Sequence, residues 1–367
     1  MPPSDADGPI GDASAPTDAT AEIRAAIAAS GDGAIGFDRF MDLALYGESG
    51  FYRRHRAGRR GEFITSAEVG PLFGAVVARA VAHCWERVGR PERFGVIEVG
   101  AGPGTLARSV MLSLDDQVRD HVEYIAVEIS AAQRDQHPDT IVSVATLDDA
   151  VAHFGGSIPA GMVMANELLD NLAFRLAVHD GAWREAFVID AGDGTFAEVL
   201  SAPLDPLPAV LPTRATHGAR APLIDQACDW VEHAIDALGV GMVLVVDYTA
   251  ATTAELAARP YRDWLRTYRA HARGEHPLRV PGTQDITCEV PIDQLREPDA
   301  VRSQIHWLQL HGIDELVAEG AAYWEAHARA PDLVAMRMRS RISEAEALLD
   351  PTGLGSFSVL EWHIARP

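Results

Sequence analysis

The feature that most constrains the fold is a glycine-rich turn between an apolar run and a helical pattern. The apolar run is Phe94–Val99, the glycines are Gly100, Gly102 and Gly104, and the helical pattern covers Thr105–Leu114. Glycines at such a turn let a ligand lie against the backbone, where any Cβ would collide. A strand that leads into a helix through this kind of turn is typical of α/β proteins.

The same alternation continues along the chain. Further apolar runs of strand length, separated by helical patterns, are Tyr124–Glu128, Thr140–Val144, Gly161–Ala165 and Met242–Asp247. Phe174–Val178 and Trp183–Ile189, joined around an Asp-Gly pair, predict a β-hairpin. We therefore predict an α/β fold, in which helices cover both faces of a Rossmann-like, mostly parallel sheet.

The glycine spacing indicates a nucleoside cofactor without phosphates. A dinucleotide fingerprint would need its third glycine at position 105, but that residue is Thr105 and the third glycine is Gly104. Glu98 precedes Gly100 by two positions, which is the form typical of S-adenosylmethionine-dependent methyltransferases. Glu128 stands where α/β sheets place an acid that binds ribose hydroxyls. The alternative is a plain tight turn, with Glu128 leading into the next helix.

Composition narrows the functional classes. The chain has 367 residues and a formal net charge of −22, and none of its basic residues is lysine. A P-loop and Schiff-base chemistry both need lysine and are excluded. The acidic charge disfavours nucleic acid as a partner, and the one arginine cluster, at 53–60, predicts a solvated loop.

Targeting and metal signals are absent from the sequence. No apolar run approaches the roughly 18 residues of a membrane span, so we expect no membrane association. Cys84, Cys228 and Cys288 are too far apart for a CxxC motif, so no metal is expected. The N-terminus lacks a signal-peptide pattern, which predicts a cytoplasmic protein.

A second group of polar residues follows the strand at 161–165. Asn166 and Glu167 come directly after it, and Asp170 follows three positions later, on the same side if a helical turn forms. Carboxylates here would hold an amine or guanidinium by charge-assisted hydrogen bonds. We predict these three as the catalytic residues. The alternative reading is that they cap and begin a helix.

The segment 61–68 (GEFITSAE) gives a weaker signal. Thr65 or Ser66 would cap the following helix, with Glu68 completing the capping box.

Several segments in one order resemble the MidA-like methyltransferases of bacteria and mitochondria. They are LALYGESGFY, GEFITSAEVGPLFG, IEVGAGPGTL, AVEIS and ANELLDNL, with weaker matches in VVDY, LRTYRAHAR, VPGTQDIT and GLGSFSVL. The resemblance covers most of residues 37–360. The chain departs from the family pattern at Ala67, at 171–173 and at Thr249.

The resemblance implies a class I methyltransferase fold with an extra helical portion. It implies S-adenosyl-L-methionine as cofactor, bound by residues of the turn, the second strand and the 61–68 loop, namely Thr65, Ser66, Glu98, Gly100, Gly102, Gly104, Glu128 and Ile129. Mitochondrial members are protein-arginine methyltransferases that act on a complex I subunit and assist its assembly.

Five regions are expected along the chain. They are a disordered tail (1–18), an N-terminal helical segment with a cofactor-side loop (19–92), a cofactor-binding Rossmann-like core (93–250), a helical insertion on the substrate side (251–350), and a C-terminal strand returning to the core sheet (351–367).

The leading functional expectation is methyl transfer to a protein substrate with an exposed arginine. A small-molecule acceptor, with 254–285 as a lid, is one alternative. A non-catalytic assembly factor that binds the cofactor is another, and a nicotinamide oxidoreductase is a distant third. A homodimer is left open.

Overall fold

The computed structural model describes residues 18–54, 65–269 and 272–365. The predicted tail at 1–17 and much of the predicted arginine loop, with Arg56, Arg59 and Arg60, lie outside the described residues.

The predicted helical pattern at Thr105–Leu114 forms a helix over Thr105–Ser113. In chain order the α-helices are Asp18–Ala29 (α1), Phe37–Tyr46 (α2), Phe51–Arg54 (α3), Ser66–Val69 (α4), Pro71–Arg87 (α5), Thr105–Ser113 (α6), Asp116–Arg119 (α7), Ala131–Arg134 (α8), Leu147–His153 (α9), Asp225–Ala237 (α10), Thr253–Ala258 (α11), Tyr261–Trp264 (α12), Gln304–Leu310 (α13), Ile313–His327 (α14) and Leu333–Leu348 (α15). Short 3₁₀ helices form at Leu169–Asn171, Ile292–Gln294 and Leu354–Ser356.

The strands fall into one large sheet and three smaller ones. In chain order they are Ile35–Gly36 (β1), Phe94–Val99 (β2), Val122–Val127 (β3), Val142–Val144 (β4), Ile158–Asn166 (β5), Arg175–His179 (β6), Trp183–Asp190 (β7), Phe196–Pro203 (β8), Arg220–Leu223 (β9), Leu238–Asp247 (β10), Thr249–Ala250 (β11), Leu265–Arg269 (β12), Ala272–Arg273 (β13), Asp285–Cys288 (β14), Val290–Pro291 (β15), Ala300–Ser303 (β16) and Ser358–Ala365 (β17).

The large sheet has the order β16-β17-β10-β5-β2-β3-β4. Strands β10, β5, β2, β3 and β4 run parallel, whereas β17 is antiparallel to both β10 and β16. The predicted α/β fold with a mostly parallel sheet is confirmed. From β2 the chain builds outward through β3 and β4, then returns to the other side of β2 as β5. Ligands bind at such a switch point, beyond the carboxyl ends of the strands.

Two apolar layers cover the faces of this sheet. Val96 and Met162 face the layer that includes α5 and α6, and their neighbours Ile97 and Val163 face the opposite layer. This alternation gives strands that are buried on both sides, as parallel sheets require. Replacing a fully buried side chain such as Phe94 with alanine would cost about 3–5 kcal/mol.

A row of glycines lets the three central strands approach closely. Gly161 pairs with Gly95 on one side and with Gly241 on the other. A Cβ added at Gly241 would lie 1.7 Å from the carbonyl oxygen of Gly161, so no larger residue fits without moving the backbone.

A second, antiparallel sheet follows the order β1-β7-β6-β9, with β8 on the edge of β7. The predicted hairpin is confirmed as β6 and β7. The sequence patterns predict no strand at 196–203 or 220–223, where β8 and β9 form. The structure also differs from the prediction in the 251–350 region, which contains the three-stranded sheet β13-β12-β14 between the short helices α11 and α12 and the helices α13 to α15. These strands are short or half-exposed, so their apolar periodicity is weak.

Candidate active site

A cavity of about 470 Å³ opens at the carboxyl ends of the central strands. This volume lies in the range of about 300–1,000 Å³ typical of small-molecule sites. The turns after β2 and β3 line one part of it, and the turn after β5 lines another together with residues from α2, β12 and β14. We call the first part the cofactor end, at 98–103 and 128–133, and the second the acceptor end, at 166–171 and 285–289.

The glycine turn has the backbone conformation that its sequence predicts. Gly100, Gly102 and Gly104 have φ angles of 76°, 53° and 77°, a region that side chains with a Cβ rarely adopt. His137 Nε2 lies 2.8 Å from the carbonyl oxygen of Gly102, and the Arg108 guanidinium donates to that of Pro103 at 2.9 Å. These contacts hold the turn from the side away from the cavity.

The two acids of the cofactor end are buried and bonded. Tyr124 donates its hydroxyl to Glu98 Oε2 at 2.7 Å, and burial raises the pKa of Glu98 to about 8. Glu128 accepts the backbone N–H groups of Gly102 at 2.9 Å and Ser130 at 2.8 Å, one on each oxygen. Burial raises its pKa above the usual range. A carboxylate has about four lone-pair sites, so Glu128 keeps capacity for hydroxyl donors.

A third polar side chain at the cofactor end, that of Gln133, has a buried oxygen without a donor. Gln133 is 1% exposed and lines the cavity, and its Oε1 has no hydrogen-bond partner among the described residues. An orphaned buried oxygen is costly unless a donor reaches it. Together with Glu128, it gives this end acceptors for the hydroxyl and amino donors of an adenosine-type ligand, so these residues fit such a cofactor.

Glu167 is the most constrained residue of the acceptor end. Its φ is 54°, a left-handed conformation that costs a non-glycine residue about 1–2 kcal/mol. Its N–H donates to the carbonyl of Val246 at 2.8 Å. Oε1 accepts the N–H of Ser66 at 3.3 Å and the Asn166 amide at 3.1 Å, which leaves Oε2 for a ligand. Burial, reinforced by the charge of Asp170, raises the pKa of Glu167 to about 8.

Asn166 and Asp170 also present oxygens without donors. Asn166 Oδ1 and Asp170 Oδ1 are buried and have no hydrogen-bond partner among the described residues, and both side chains line the cavity. The other oxygen of Asp170 accepts the Thr287 hydroxyl. Burial, with the nearby charge of Asp247, raises the pKa of Asp170 well above its usual range.

Sequence reasoning missed the residue that shapes the Asp170 turn. Asp247, fully buried at the end of β10, accepts the N–H groups of Leu169 at 2.9 Å, Asp170 at 3.3 Å and Tyr248 at 2.8 Å. Burial raises its pKa to about 7. Its signal was available, because an acid that ends a buried parallel strand lies on the ligand side of the sheet.

The aromatic wall of the acceptor end was also missed. The rings of Tyr46 and Tyr52 stack at 5.5 Å and 15°, and both line the cavity. Tyr52 donates to Asp285 Oδ1 at 2.9 Å, the same oxygen that the Asn171 amide contacts at 3.1 Å. Asn171, where the chain departs from the family pattern, thus joins the 3₁₀ turn to β14. Burial raises the pKa of both tyrosines, which keeps their hydroxyls protonated.

Thr65 and Ser66 behave differently from the capping prediction. Thr65 occupies the position before α4 but its side chain makes no capping hydrogen bond, and it lines the cavity instead. Ser66 is fully buried, and its hydroxyl donates to Gln304 Oε1 at 3.0 Å. Gln304 in turn donates to the carbonyl of Leu348 at 3.4 Å. Ser66 therefore contacts Glu167 rather than the cavity.

The structure brings most of the predicted site residues to one cavity. Among the described lining residues are Thr65, Glu98, Gly100, Gly102, Glu128, Ile129, Asn166, Glu167 and Asp170. Ser66 and Gly104 stand outside that lining, the first behind Glu167 and the second at the start of α6. The alternative that Asn166, Glu167 and Asp170 only begin a regular helix is not what forms here, since a single 3₁₀ turn follows.

None of the described helices is both long and apolar enough to cross a membrane. Within the same residues, no cluster of three or more His, Cys, Asp or Glu side chains has the arrangement of a metal site.

Curated relatives resemble this chain over most of its length. A mitochondrial protein from Drosophila melanogaster, named as a protein arginine methyltransferase and NDUFAF7 homolog, is 26% identical over 303 residues, covering 71% of this chain and 65% of that protein. Protein arginine methyltransferase NDUFAF7 of Rattus norvegicus is 24% identical over 280 residues, covering 67% and 62% respectively. The chain thus spans less than two thirds of the length of these relatives.

A solved structure shares the fold. The crystal structure of a COG1565 superfamily member from Burkholderia thailandensis, bound to S-adenosyl-homocysteine, superposes with a TM-score of 0.76 at 24% identity, covering 95% of this chain and 92% of that one. The model of a family of S-adenosyl-L-methionine-dependent methyltransferases matches residues 76–310, which is more than half of the chain. The protein belongs to this family of S-adenosyl-L-methionine-dependent methyltransferases.

Proposed function

We propose that the protein transfers the methyl group of S-adenosylmethionine to the guanidinium of an arginine in a protein substrate. The observation that carries this proposal is the set of unmatched acceptor oxygens at the acceptor end. Asn166 Oδ1 and Asp170 Oδ1 are buried without donors, and Glu167 has one oxygen free of its neighbours. A guanidinium carries five N–H donors and no acceptor, so it complements such a set.

The charges at this end support a cationic acceptor. After burial, the charged groups that most affect the pKa values of Glu167, Asp170 and Asp247 are other carboxylates. Buried carboxylates without a cation are costly, and a bound guanidinium would supply the missing charge. The names of the two curated relatives agree with an arginine acceptor.

The cofactor end would hold the cofactor through its backbone and two acids. The turn at Gly100 and Gly102 would contact it closely, Glu128 would accept its ribose hydroxyls, and Gln133 and Glu98 would bind its remaining donors. When bound, S-adenosylmethionine supplies an electrophilic methyl group on a positively charged sulfur.

Glu167 has two tasks in this proposal. Its free oxygen orients the attacking nitrogen of the acceptor, because catalysis of methyl transfer depends on an in-line, desolvated approach. A methylated guanidinium that keeps one positive charge must also lose one N–H proton. With a pKa of about 8, Glu167 can accept that proton in its ionised form, which predominates above pH 8.

The test is transfer from labelled S-adenosylmethionine to three matched peptides that carry arginine, lysine or citrulline at one position. We expect label on the arginine peptide alone, because citrulline lacks the charge and lysine lacks the planar fork. Glu167→Gln should lower transfer by about 100-fold or more, since it removes both the charge and the proton acceptor. The control is Glu325→Gln, an exposed α14 residue outside the cavity lining.

Label on lysine or on small amines instead would refute the arginine acceptor. Full activity of a folded Glu167→Gln variant would refute the role of Glu167. Cofactor binding with no transfer to any protein or small molecule of a lysate would favour the assembly-factor alternative. A cytoplasmic location and a homodimer stay predictions, which cell fractionation and sedimentation would check.

A further inference from the structure

A second cavity of about 460 Å³ adjoins the first. The two share Tyr248, Arg266 and Glu289 as lining residues. The far wall of the second cavity is Thr249 and the turn at 352–357. We call this space the outer groove. Three of the segments that match the family more weakly, VVDY, LRTYRAHAR and GLGSFSVL, each contribute to it.

The outer groove continues from the acceptor end rather than from the cofactor end. The shared residues follow β10, lie on β12 or follow β14, and Glu98, Gly100 and Glu128 do not line the groove. An arginine side chain whose guanidinium reaches Glu167 must connect to a main chain nearer the surface. The groove is the adjoining space in which that main chain can lie.

The groove has fewer carboxylates than the acceptor end. Its described lining contains one guanidinium, that of Arg266, and one carboxylate, that of Glu289. Glu289 accepts hydrogen bonds from Arg259 on both oxygens, at 2.6 and 3.0 Å, and from Arg266 at 2.6 Å. Because two guanidinium groups share this carboxylate, it compensates the charge of Arg266 only in part.

Arg266 is oriented firmly at the junction of the two cavities. Its Nε donates to the carbonyl of Asp263 at 2.7 Å, while Nη2 contacts Glu289. Nη1 has no hydrogen bond to any described residue, so a fixed guanidinium presents an unused donor where the cavities meet. On the opposite wall the hydroxyls of Thr352 and Ser356 donate to Asp350 at 2.8 Å and to the carbonyl of Gly353 at 2.7 Å, so their oxygens can only accept from a ligand.

We propose that the outer groove binds the polypeptide next to the acceptor arginine, and that Arg266 selects an acidic side chain there. This inference rests on the proposed arginine methyl transfer. It defines the substrate as an arginine with a nearby aspartate or glutamate, and it makes Arg266 a specificity determinant.

The first test compares peptides that carry glutamate, glutamine or lysine beside the acceptor arginine. The native enzyme should prefer the glutamate peptide over the lysine peptide by about twofold to fivefold in kcat/KM, the range of a partly exposed charge pair. Arg266→Glu should reverse that order, because a glutamate at this position would repel the glutamate peptide and attract the lysine peptide. An unchanged order in the folded variant would overturn the proposal.

A second variant keeps the question answerable if Arg266→Glu does not fold. Thr352→Trp adds bulk to the far wall, away from both arginines. The ratio of kcat/KM for a peptide to that for N-acetylarginine amide should fall at least severalfold. Ala326→Trp, on the exposed face of α14, is the matched bulk control. An unchanged ratio in Thr352→Trp would refute the groove, whereas no transfer to any arginine acceptor would refute the proposed function itself.

Discussion

The polar side chains at the two ends of the cavity differ in how many of their oxygens already accept hydrogen bonds. At the cofactor end, Glu98 and Glu128 are already bonded, the first to Tyr124 and the second to two backbone N–H groups. At the acceptor end, Asn166 and Asp170 keep buried oxygens without donors. The two carboxylates of the cofactor end are therefore held before any ligand arrives, and Gln133 Oε1 is the buried oxygen there that lacks a donor among the described residues. At the acceptor end it is the residues predicted to be catalytic that lack donors. This difference fits a protein with one constant cofactor and a cationic acceptor that is released after each reaction.

The largest expected effect is at the cofactor end. Gly102→Val places a β-branched residue at a φ of 53° and a side chain in the space where the cofactor approaches. We expect its affinity for S-adenosylmethionine to fall by about 100-fold or more, as measured by calorimetry, with an unchanged circular dichroism spectrum.

Gly192→Val is the matched control, because Gly192 also has a positive φ of 80° but lies in an open turn. If both variants lose cofactor affinity equally, backbone strain and not steric exclusion explains the loss. If Gly102→Val binds normally, the cofactor end has been placed wrongly.

The second-largest expected effect distinguishes the two ends of the cavity by the pH dependence of kcat/KM. With a pKa of about 8, Glu167 is mostly protonated at pH 7 and mostly ionised at pH 9. An arginine peptide keeps its charge throughout this range. At saturating cofactor, kcat/KM for that peptide should therefore rise by about tenfold from pH 7 to pH 9.

The variants of the two acids should respond differently. Glu98 has a similarly raised pKa but stands at the cofactor end. Glu98→Gln should keep the rise of kcat/KM with pH, and Glu167→Gln should abolish it. If the rise of kcat/KM disappears in Glu98→Gln and persists in Glu167→Gln, the group that titrates is Glu98 at the cofactor end and not Glu167.

The same two ends differ in how far the sequence predicts them. The cofactor end is made from short, consecutive stretches, so spacing along the chain is enough to predict Glu98, the glycine turn and Glu128. Of these residues, Glu98, Gly100, Gly102 and Glu128 line the cavity. The acceptor end joins distant residues: Tyr52 and Asp285, which share a hydrogen bond, are 233 positions apart. Spacing along the chain carries no information about such a contact. For the same reason the sequence predicted Glu167 but not the tyrosines or Gln304. Asp247 is different, because its position at the end of a buried strand could have been used to predict it.

The sheet shows a similar boundary. Buried parallel strands such as β2, β5 and β10 are continuous apolar runs, and the sequence predicts them well. Strands β8 and β13 have half-exposed or exposed residues and form only because a neighbouring strand supplies hydrogen-bond partners. Such strands depend on tertiary contacts that a local pattern does not contain.

The smallest expected effect tests whether the helical region contributes to the acceptor end. The hydroxyl of Ser66 contacts Gln304 on α13, and the N–H of Ser66 contacts Glu167. Ser66→Ala removes the first contact and keeps the second donor, so Glu167 should lose precision of position but not its charge. One neutral hydrogen bond contributes about 0.5–1.5 kcal/mol, which predicts a decrease in kcat of about twofold to tenfold.

If the hydroxyl of Ser66 acts only by positioning Glu167, other properties of the Ser66→Ala variant should not change. The affinity for S-adenosylmethionine and the pH at which kcat/KM rises should stay as in the native enzyme, and Ser66→Thr should restore part of kcat. Ser113→Ala, at the exposed end of α6, is the control for loss of a hydroxyl. If Ser66→Ala instead weakens cofactor binding while kcat is unchanged, Ser66 belongs to the cofactor end, as the family resemblance implies. The loop that contains Ser66 would then be counted with the cofactor end and not with the acceptor end.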